Sequence, residues 1–154
     1  RGKLIHTEKI LFGPAIVNAY KLESKAALYP RVILDESIIL SGVEAHGRHH
    51  LAYHEKDSIM SLLKRDSDGM YYIDYITEAQ EELDDPYYDY PLYLKDLGEI
   101  ILAGLQNSDP SVLIKYQWLK EKYVQHVKDL KNDYKDYSDK DISEAYLALP
   151  EFNE

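Results

Sequence analysis

The order of apolar and polar residues predicts that the chain opens with a β-hairpin. Two short apolar runs, Lys3–His6 and Lys9–Phe12, are separated by Thr7 and Glu8. Runs of this length joined by two polar residues are typical of antiparallel strands with a tight turn. Gly13 follows the second run and permits a sharp bend, because glycine adopts backbone angles that other residues avoid.

After the hairpin the pattern changes to helical spacing. Pro14 fits the first turn of a helix, and Ile16 and Tyr20 recur at the spacing of a helix that reaches about Ala27. Arg31–Leu34 then reads as another short strand. A strand, a helix and a strand in this order are typical of a βαβ-like unit, so we expect the helix to cover one face of a sheet.

The middle of the chain predicts two further helices. Residues 35–53 have helical spacing, with Asp35 or Ser37 as the cap and a break near Gly47. A second, short helix is predicted over 57–64, with Ile59, Leu62 and Leu63 buried.

A turn, a strand and an acidic loop are predicted next. The polar segment Arg65–Gly69 is a turn, and Met70–Ile76 is rich in aromatic and β-branched residues, as strands are. Glu78–Asp89 contains six carboxylates and lacks the spacing of a calcium-binding loop. We interpret Glu78–Asp89 as a solvated loop with at most one helical turn at its start.

Helices are predicted to complete the chain. One spans about 92–106, and the next is capped by Asp109 with Pro110 at its first position. A third, short helix is predicted over about 139–149. Because the link between the first two is short, they are expected to pair as a helical hairpin. The apolar stripe of the second helix consists of Val112, Tyr116, Leu119, Tyr123, Val127 and Leu130.

Composition narrows the classes of function. The chain of 154 residues contains no cysteine, which excludes disulfides, zinc–thiolate sites and thiol nucleophiles and makes the cytoplasm the expected location. The formal net charge of −10 disfavours binding to the nucleic-acid backbone. No apolar run has the length of a membrane span, so no membrane partner is expected.

Histidines form one candidate constellation. Four of the six lie within His46–His54, and in a continuous helix His46, His50 and His54 would share one face. Such spacing suits a transition-metal ion. Gly47 disfavours a continuous helix, so a polar surface segment is the favoured interpretation. Metal binding is one alternative, and contact of Arg48 and its neighbours with a phosphate or a partner is the other.

The opening segment resembles the class III nucleotide cyclases, the family of adenylate and guanylate cyclase catalytic domains. In that family a strand ends in Leu-Phe-Gly, and the following helix ends in Glu-Ser before another strand. Here Leu11-Phe12-Gly13 and Glu23-Ser24 match this pattern with their spacing preserved. Arg1-Gly2 resembles the end of the Arg-rich and Gly-rich strand that precedes this element, so the resemblance covers about residues 1–40.

The resemblance implies a fold. Kinship suggests an α+β domain with a ferredoxin-like, palm-type antiparallel sheet and a helical hairpin at the C-terminal side. Because the chain begins at Arg1 with a strand almost at once, we expect it to be a fragment truncated at its N-terminal side. The predicted division is a cyclase-like core portion at 1–90 and a helical extension at 91–154, packed on the same domain.

The resemblance also implies candidate site residues. The family's transition-state arginine aligns with Lys21, which keeps the positive charge without the guanidinium fork. The asparagine that accompanies that arginine aligns with Val17, which cannot donate a hydrogen bond, and Asn18 is the next residue. Lys21 and Asn18 are therefore the candidate catalytic residues, and Phe12 and Gly13 are the candidate cofactor-binding residues.

Cofactor and substrate follow from the same resemblance. Class III cyclases convert a nucleoside triphosphate into a cyclic monophosphate with two metal ions, held by two aspartates that precede the aligned region. Mg²⁺ or Mn²⁺ is therefore expected to bind outside this chain, and no metal ligand is assigned within it. The first hypothesis is that the chain is the C-terminal portion of a nucleotide cyclase-like protein.

The alternative hypothesis is a cyclase-like module without catalysis, which serves in nucleotide binding or dimerisation. The Val17 replacement motivates it. Since class III cyclases build their active sites between two catalytic domains, the resemblance implies a homodimer under either hypothesis. The fifteen tyrosines of the chain suit such an interface, because tyrosine combines an apolar ring with a polar hydroxyl.

Overall fold

The fold class is α+β, as predicted. The computed structural model describes residues 4–44 and 52–152, and within them it places helices and two small antiparallel sheets. The chain divides into two compact units, Arg1–Ile73 (unit 1) and Asp74–Glu154 (unit 2). The predicted division after residue 90 falls instead within a continuous helix of unit 2.

Unit 1 opens with the predicted hairpin. Strands β1 (Ile5–His6) and β2 (Leu11–Phe12) pair antiparallel, with Ile5 opposite Phe12. Thr7 closes the turn, because its backbone N–H donates to the carbonyl of Ile10 at 2.8 Å and its hydroxyl accepts from the N–H of Ile10 at 3.0 Å. The prediction of a hairpin is confirmed.

Helix α1 (Pro14–Lys25) follows, also as predicted. Gly13 is its N-cap residue and Pro14 takes the first helical position, where the missing N–H has no intrahelical acceptor. None of the residues of α1 is buried. The expectation that this helix covers one face of a sheet is therefore wrong.

Three strands form the second sheet. Strands β3 (Ile33–Leu34), β4 (Leu63–Arg65) and β5 (Tyr71–Ile73) lie in the order β3–β5–β4, and both pairings are antiparallel. Since β2 and β3 lie in different sheets, the predicted βαβ-like unit is wrong. The reason is that β3 pairs with the distant strand β5 instead of with a strand next to it in sequence.

Two helices lie between β3 and β4. Helices α2 (Glu36–Glu44) and α3 (Ala52–Ser61) pack on one another, and Ile39 of α2 is buried. Asp35 caps α2, since its carboxylate accepts from the N–H of Ser37 at 2.9 Å. The predicted break near Gly47 lies outside the described residues.

The helix predicted over 57–64 needs correction. Helix α3 ends at Ser61, and Leu63–Arg65 is strand β4. Leu63 is buried opposite Ile73 in the ladder, so pairing with β5 overrides the local helical spacing. The turn that joins β4 to β5 is the predicted one, with Gly69 at a φ of 83°, in the left-handed region that favours glycine.

Unit 2 consists of a short 3₁₀ helix (Ala79–Glu82) and three packed helices. These are α4 (Pro86–Gly104), α5 (Pro110–Tyr134) and α6 (Lys140–Leu147), and each contacts the other two. The Asp109–Pro110 start of α5 is confirmed. Within the described ranges, no helix is both long enough and apolar enough to cross a membrane.

Helix α4 begins earlier than the predicted residue 92. Asp85 caps it by accepting from the N–H groups of Tyr87 and Tyr88, and Pro86 takes the first position. The two prolines and the acidic residues suggested a loop, but Pro91 lies inside the helix. Tyr90 and Pro91 are buried, so packing within unit 2 stabilises a helix that local propensity disfavours.

Large tyrosines form the core of unit 2. Tyr90, Tyr123 and Tyr146 are fully buried together with Leu94 and Ile101. Gly98 of α4 makes room for one of them, since a Cβ there would lie 2.7 Å from the hydroxyl oxygen of Tyr123. The predicted stripe of α5 is confirmed over its C-terminal part, where Leu119, Tyr123, Val127 and Leu130 are buried.

Candidate functional site

A groove follows strand β3 in unit 1. A cavity of about 410 Å³ lies between α1, β3 and the start of α2, and a second of about 210 Å³ extends from β3 to the β4–β5 turn. Leu22, Ile33 and Asp35 line both cavities. We call the two together the β3 groove. Its volume is in the range of pockets that bind small molecules or peptide side chains.

The lining of the β3 groove is apolar with an acidic border. Most of its surface is hydrophobic, and the polar lining residues are Asn18, Ser37, three carboxylates and the arginines Arg31 and Arg65. The carboxylates are those of Glu23, Asp35 and Glu36. The apolar lining residues are Ala15, Ala19, Leu22, Ala27, Val32, Ile33, Leu34, Ile38, Met70 and Tyr71.

Arg31 lies at the side of the groove as part of a buried ion cluster. Its side chain is 0% exposed, and Nη1 lies 2.6 Å from Oδ2 of Asp66, whose side chain is 2% exposed. The guanidinium also donates to both carboxylate oxygens of Asp68. Two carboxylates thus neutralise one cation, so Arg31 does not offset the negative charge of the groove.

The ion cluster changes the acidity of its members. The hydrogen bond with Asp68 raises the pKa of the Arg31 guanidinium above its ordinary value. The same hydrogen bond from Arg31 lowers the pKa of the Asp68 carboxyl. Both shifts favour the charged forms, as is expected for a bidentate arginine–carboxylate pair.

Arg65 is the other cation beside the groove. Its Nε donates to the carbonyl of Gly69 at 3.0 Å, and its guanidinium carbon lies 5.7 Å from the centroid of the Tyr71 ring. Arg65 is exposed, so water screens its charge. The three groove carboxylates therefore outweigh the one accessible guanidinium.

The structure separates the residues that the sequence nominated. Asn18 lines the β3 groove, whereas Lys21 is exposed on α1 and lines neither of its cavities. Phe12 is exposed on β2 and Gly13 is buried at the start of α1, and neither is among the residues that line the groove. The catalytic and cofactor-binding roles of these four residues stay predictions.

Sequence reasoning missed the ion cluster. The sequence predicts that Arg31 begins a strand and that Arg65–Gly69 is a turn. The available signal was a lone arginine in an apolar strand together with an Asp-Ser-Asp turn, but nothing local connects them. The antiparallel pairing of β3 with β5 brings the arginine and the turn together.

The metal candidates gain no support from geometry. Among the described residues, no three histidine, aspartate or glutamate side chains converge as metal ligands. Most of the His46–His54 cluster lies outside the described residues, and His54 is exposed on α3. In the acidic segment, Asp85 serves as the helix cap of α4.

An apolar surface is the second notable feature of unit 1. Eight large apolar side chains of β1, β2, α1 and the residues beside the two strands are 36–67% exposed. Helix α1 contacts β2, so these residues belong to neighbouring elements. We call them the hairpin–α1 surface, which consists of Leu4, Ile5, Ile10, Leu11, Phe12, Ile16, Val17 and Tyr20.

Comparison of the chain with protein-family models, curated proteins and solved structures gives no match. The site is therefore interpreted from its own chemistry.

Proposed function

We propose that this chain is a cyclase-like interaction module that dimerises through the hairpin–α1 surface and does not turn over a nucleoside triphosphate. The observation that carries the proposal is the exposure of eight large apolar side chains on adjoining elements. Monomeric proteins rarely leave contiguous apolar patches of more than a few hundred Å² in water. Because successive strand residues point to opposite faces, Ile5, Ile10 and Phe12 lie on one face of the hairpin and Leu11 on the other, so the exposed apolar area is divided between two faces.

A second copy of the chain suits this surface. A two-fold dimer places the same patch on both subunits, so the patch needs to be self-complementary. The hairpin–α1 surface is apolar, and the exposed turn of the hairpin carries both signs of charge, in Glu8 and Lys9. Apposition of two such patches buries hydrocarbon without bringing only like charges together.

The absence of turnover follows from the chemistry of the predicted residues. Val17 stands where the cyclase pattern has asparagine, and a valine side chain cannot donate a hydrogen bond. Arg31 is already neutralised by Asp66 and Asp68. The carboxylates of the β3 groove would repel a triphosphate.

The proposed module belongs to a palm-type core and acts in the cytoplasm.

Dimerisation has a direct test in sedimentation equilibrium across a range of protein concentrations. We expect Phe12→Asp to weaken the dimer at least about tenfold, because a two-fold interface would bury two new carboxylates. Tyr88→Asp is the matched control, since Tyr88 is an equally exposed aromatic residue in unit 2. A wild-type monomer at every concentration, or an unchanged dimer in Phe12→Asp, would contradict the proposal.

A nucleotide cyclase is the second candidate function, favoured by the exposed ammonium of Lys21 on the helix that follows Leu11-Phe12-Gly13. It proposes that a protein containing this chain cyclises a nucleoside triphosphate with Mg²⁺ or Mn²⁺ bound outside the chain. To test this, each nucleoside triphosphate is incubated with Mn²⁺ and the full-length protein. The same assay is repeated with Lys21→Ala and with Lys25→Ala as the control. We expect no cyclic product. A product that Lys21→Ala abolishes and Lys25→Ala retains would establish the cyclase instead.

A further inference from the structure

Among the described residues no strand pairs with β3 on the side away from β5, and this open edge and the β3 groove point to a ligand different from a second copy. We propose that the β3 groove binds an extended polypeptide segment in which apolar side chains alternate with basic ones, and that this segment adds to β3 as a further strand. The proposal goes beyond dimerisation and uses a separate surface, since no residue of the hairpin–α1 surface lines the groove.

The backbone of β3 has its hydrogen-bonding groups in the orientation that strand addition requires. Ile33 lies opposite Tyr72 and Leu34 opposite Tyr71, and the N–H of Ile73 donates to the carbonyl of Val32 at 3.0 Å. Along an antiparallel strand, successive residues direct their N–H and C=O alternately to one side and the other. Val32 and Leu34 therefore bond toward β5, and Ile33 directs its N–H and C=O to the open edge.

The same residue marks the meeting point of the two cavities. Ile33 lines both cavities, and the larger one lies between β3 and α1, so a strand that pairs with Ile33 would enter the space between β3 and α1. On the helix side the lining includes Ala15 and Ala19, whose small side chains leave space for side chains of the added strand. Recognition of this kind combines backbone hydrogen bonds with pockets for alternate side chains.

The charges that line the β3 groove indicate which side chains the bound segment carries. Glu23, Asp35 and Glu36 line the groove together with one exposed guanidinium, that of Arg65, while Arg31 is neutralised by Asp66 and Asp68. An extended segment places alternate side chains on opposite faces, so apolar residues can face the groove while lysines reach the carboxylates at its border. An acidic segment of the same apolar pattern would meet like charges there.

The backbone part of the proposal is tested with a labelled synthetic peptide of about eight residues, the length of a long ordinary strand, in which valine alternates with lysine. Binding to the full chain is measured by fluorescence anisotropy. Ile33→Pro removes the N–H that faces the open edge and keeps the bonds to β5, and edge strands tolerate proline in this orientation. We expect Ile33→Pro to weaken binding at least about tenfold and Ile33→Val to retain it.

The charge part of the proposal is tested with a matched pair of variants. This test remains valid even if Ile33→Pro disturbs the sheet. Glu23→Gln removes a groove carboxylate, whereas Glu8→Gln makes the same change at the hairpin turn. We expect Glu23→Gln to weaken binding about threefold and Glu8→Gln to leave it unchanged. Replacement of every lysine in the peptide by glutamate is expected to abolish measurable binding.

Any of three results would overturn the proposal. The valine–lysine peptide does not bind, its valine–glutamate counterpart binds equally well, or neither Ile33→Pro nor Glu23→Gln weakens binding. A wild-type dimer that Ile33→Pro dissociates would assign the groove to a second copy. If the chain binds anionic vesicles but no peptide, and Ile33→Pro binds the vesicles as well as wild type does, the partner would be a membrane surface. Its binding site would then lie elsewhere on the chain.

Discussion

Replacement of Arg31 by methionine is expected to destabilise unit 1 by about 3–5 kcal/mol, the usual result of removing one member of a buried ion pair. Arg31 is fully buried, and Asp66, which is nearly so, would lose its guanidinium. Asp68 would suffer less, because its side chain is 40% exposed and water can replace the lost hydrogen bonds. Hydrogen exchange of the backbone amides in β3 and β5, followed by mass spectrometry, measures this loss locally.

Two variants test the cause of that loss. Arg65→Met removes an exposed arginine of the same sheet, and we expect it to cost less than about 1 kcal/mol. Adding Asp66→Asn to Arg31→Met is expected to recover part of the stability, because the amide carries no charge and its oxygen still accepts from the N–H of Ser67. Equal losses in Arg31→Met and Arg65→Met would show that burial of the ion cluster is not the cause.

Removal of a single hydroxyl group is expected to change the stability of unit 2 differently at two fully buried tyrosines, Tyr90 and Tyr123. The hydroxyl of Tyr90 donates to the carbonyl of Ile76 at 2.7 Å, and Nε2 of His126 lies 2.6 Å from its oxygen. Tyr90→Phe leaves both groups without this partner, which costs about 1–3 kcal/mol. Thermal or urea unfolding followed through helix content measures the change in free energy.

Tyr123→Phe is the contrasting variant. Within the part of the chain that the structure describes, the buried hydroxyl of Tyr123 has no hydrogen-bond partner and lies against Gly98. Its removal is expected to leave stability within about 0.5 kcal/mol of wild type or to raise it, since an unsatisfied hydroxyl no longer needs to be desolvated. Burial raises the pKa of both tyrosines, so both hydroxyls are protonated at neutral pH. A loss in Tyr123→Phe as large as that in Tyr90→Phe would contradict this account.

Local signals in the sequence determined the elements with strong starts and regular spacing. The hairpin of β1 and β2, helix α1 after Gly13-Pro14 and helix α5 after Asp109-Pro110 were all predicted where they lie. Each depends on residues close together in sequence, namely a turn, a cap or a helical stripe. The apolar stripe of α5 likewise predicted much of the core of unit 2.

Tertiary structure decided where strands pair and which helices tolerate unfavourable residues. Strands β3 and β4 both pair with β5, so β3 lies in a different sheet from β2. For the same reason Leu63–Arg65, which the local pattern predicts as the end of a helix, forms strand β4. Packing of Tyr90 and Pro91 kept α4 helical through a proline. These outcomes depend on long-range contacts whose free energy exceeds the local preference, and no short stretch of sequence encodes them.

The candidate site divides in the same way. The sequence nominated Asn18 and Lys21 on one helix, but the position of Asn18 in the β3 groove and of Lys21 outside it depends on where β3 and α2 lie relative to α1. The ion cluster joins Arg31 to a turn that is distant in sequence, and pairing of β3 with β5 is what brings them together. The sequence by itself determined the residue types and the local elements. The tertiary structure decided which side chains share a groove, because burial and charge pairing act through space and not along the chain.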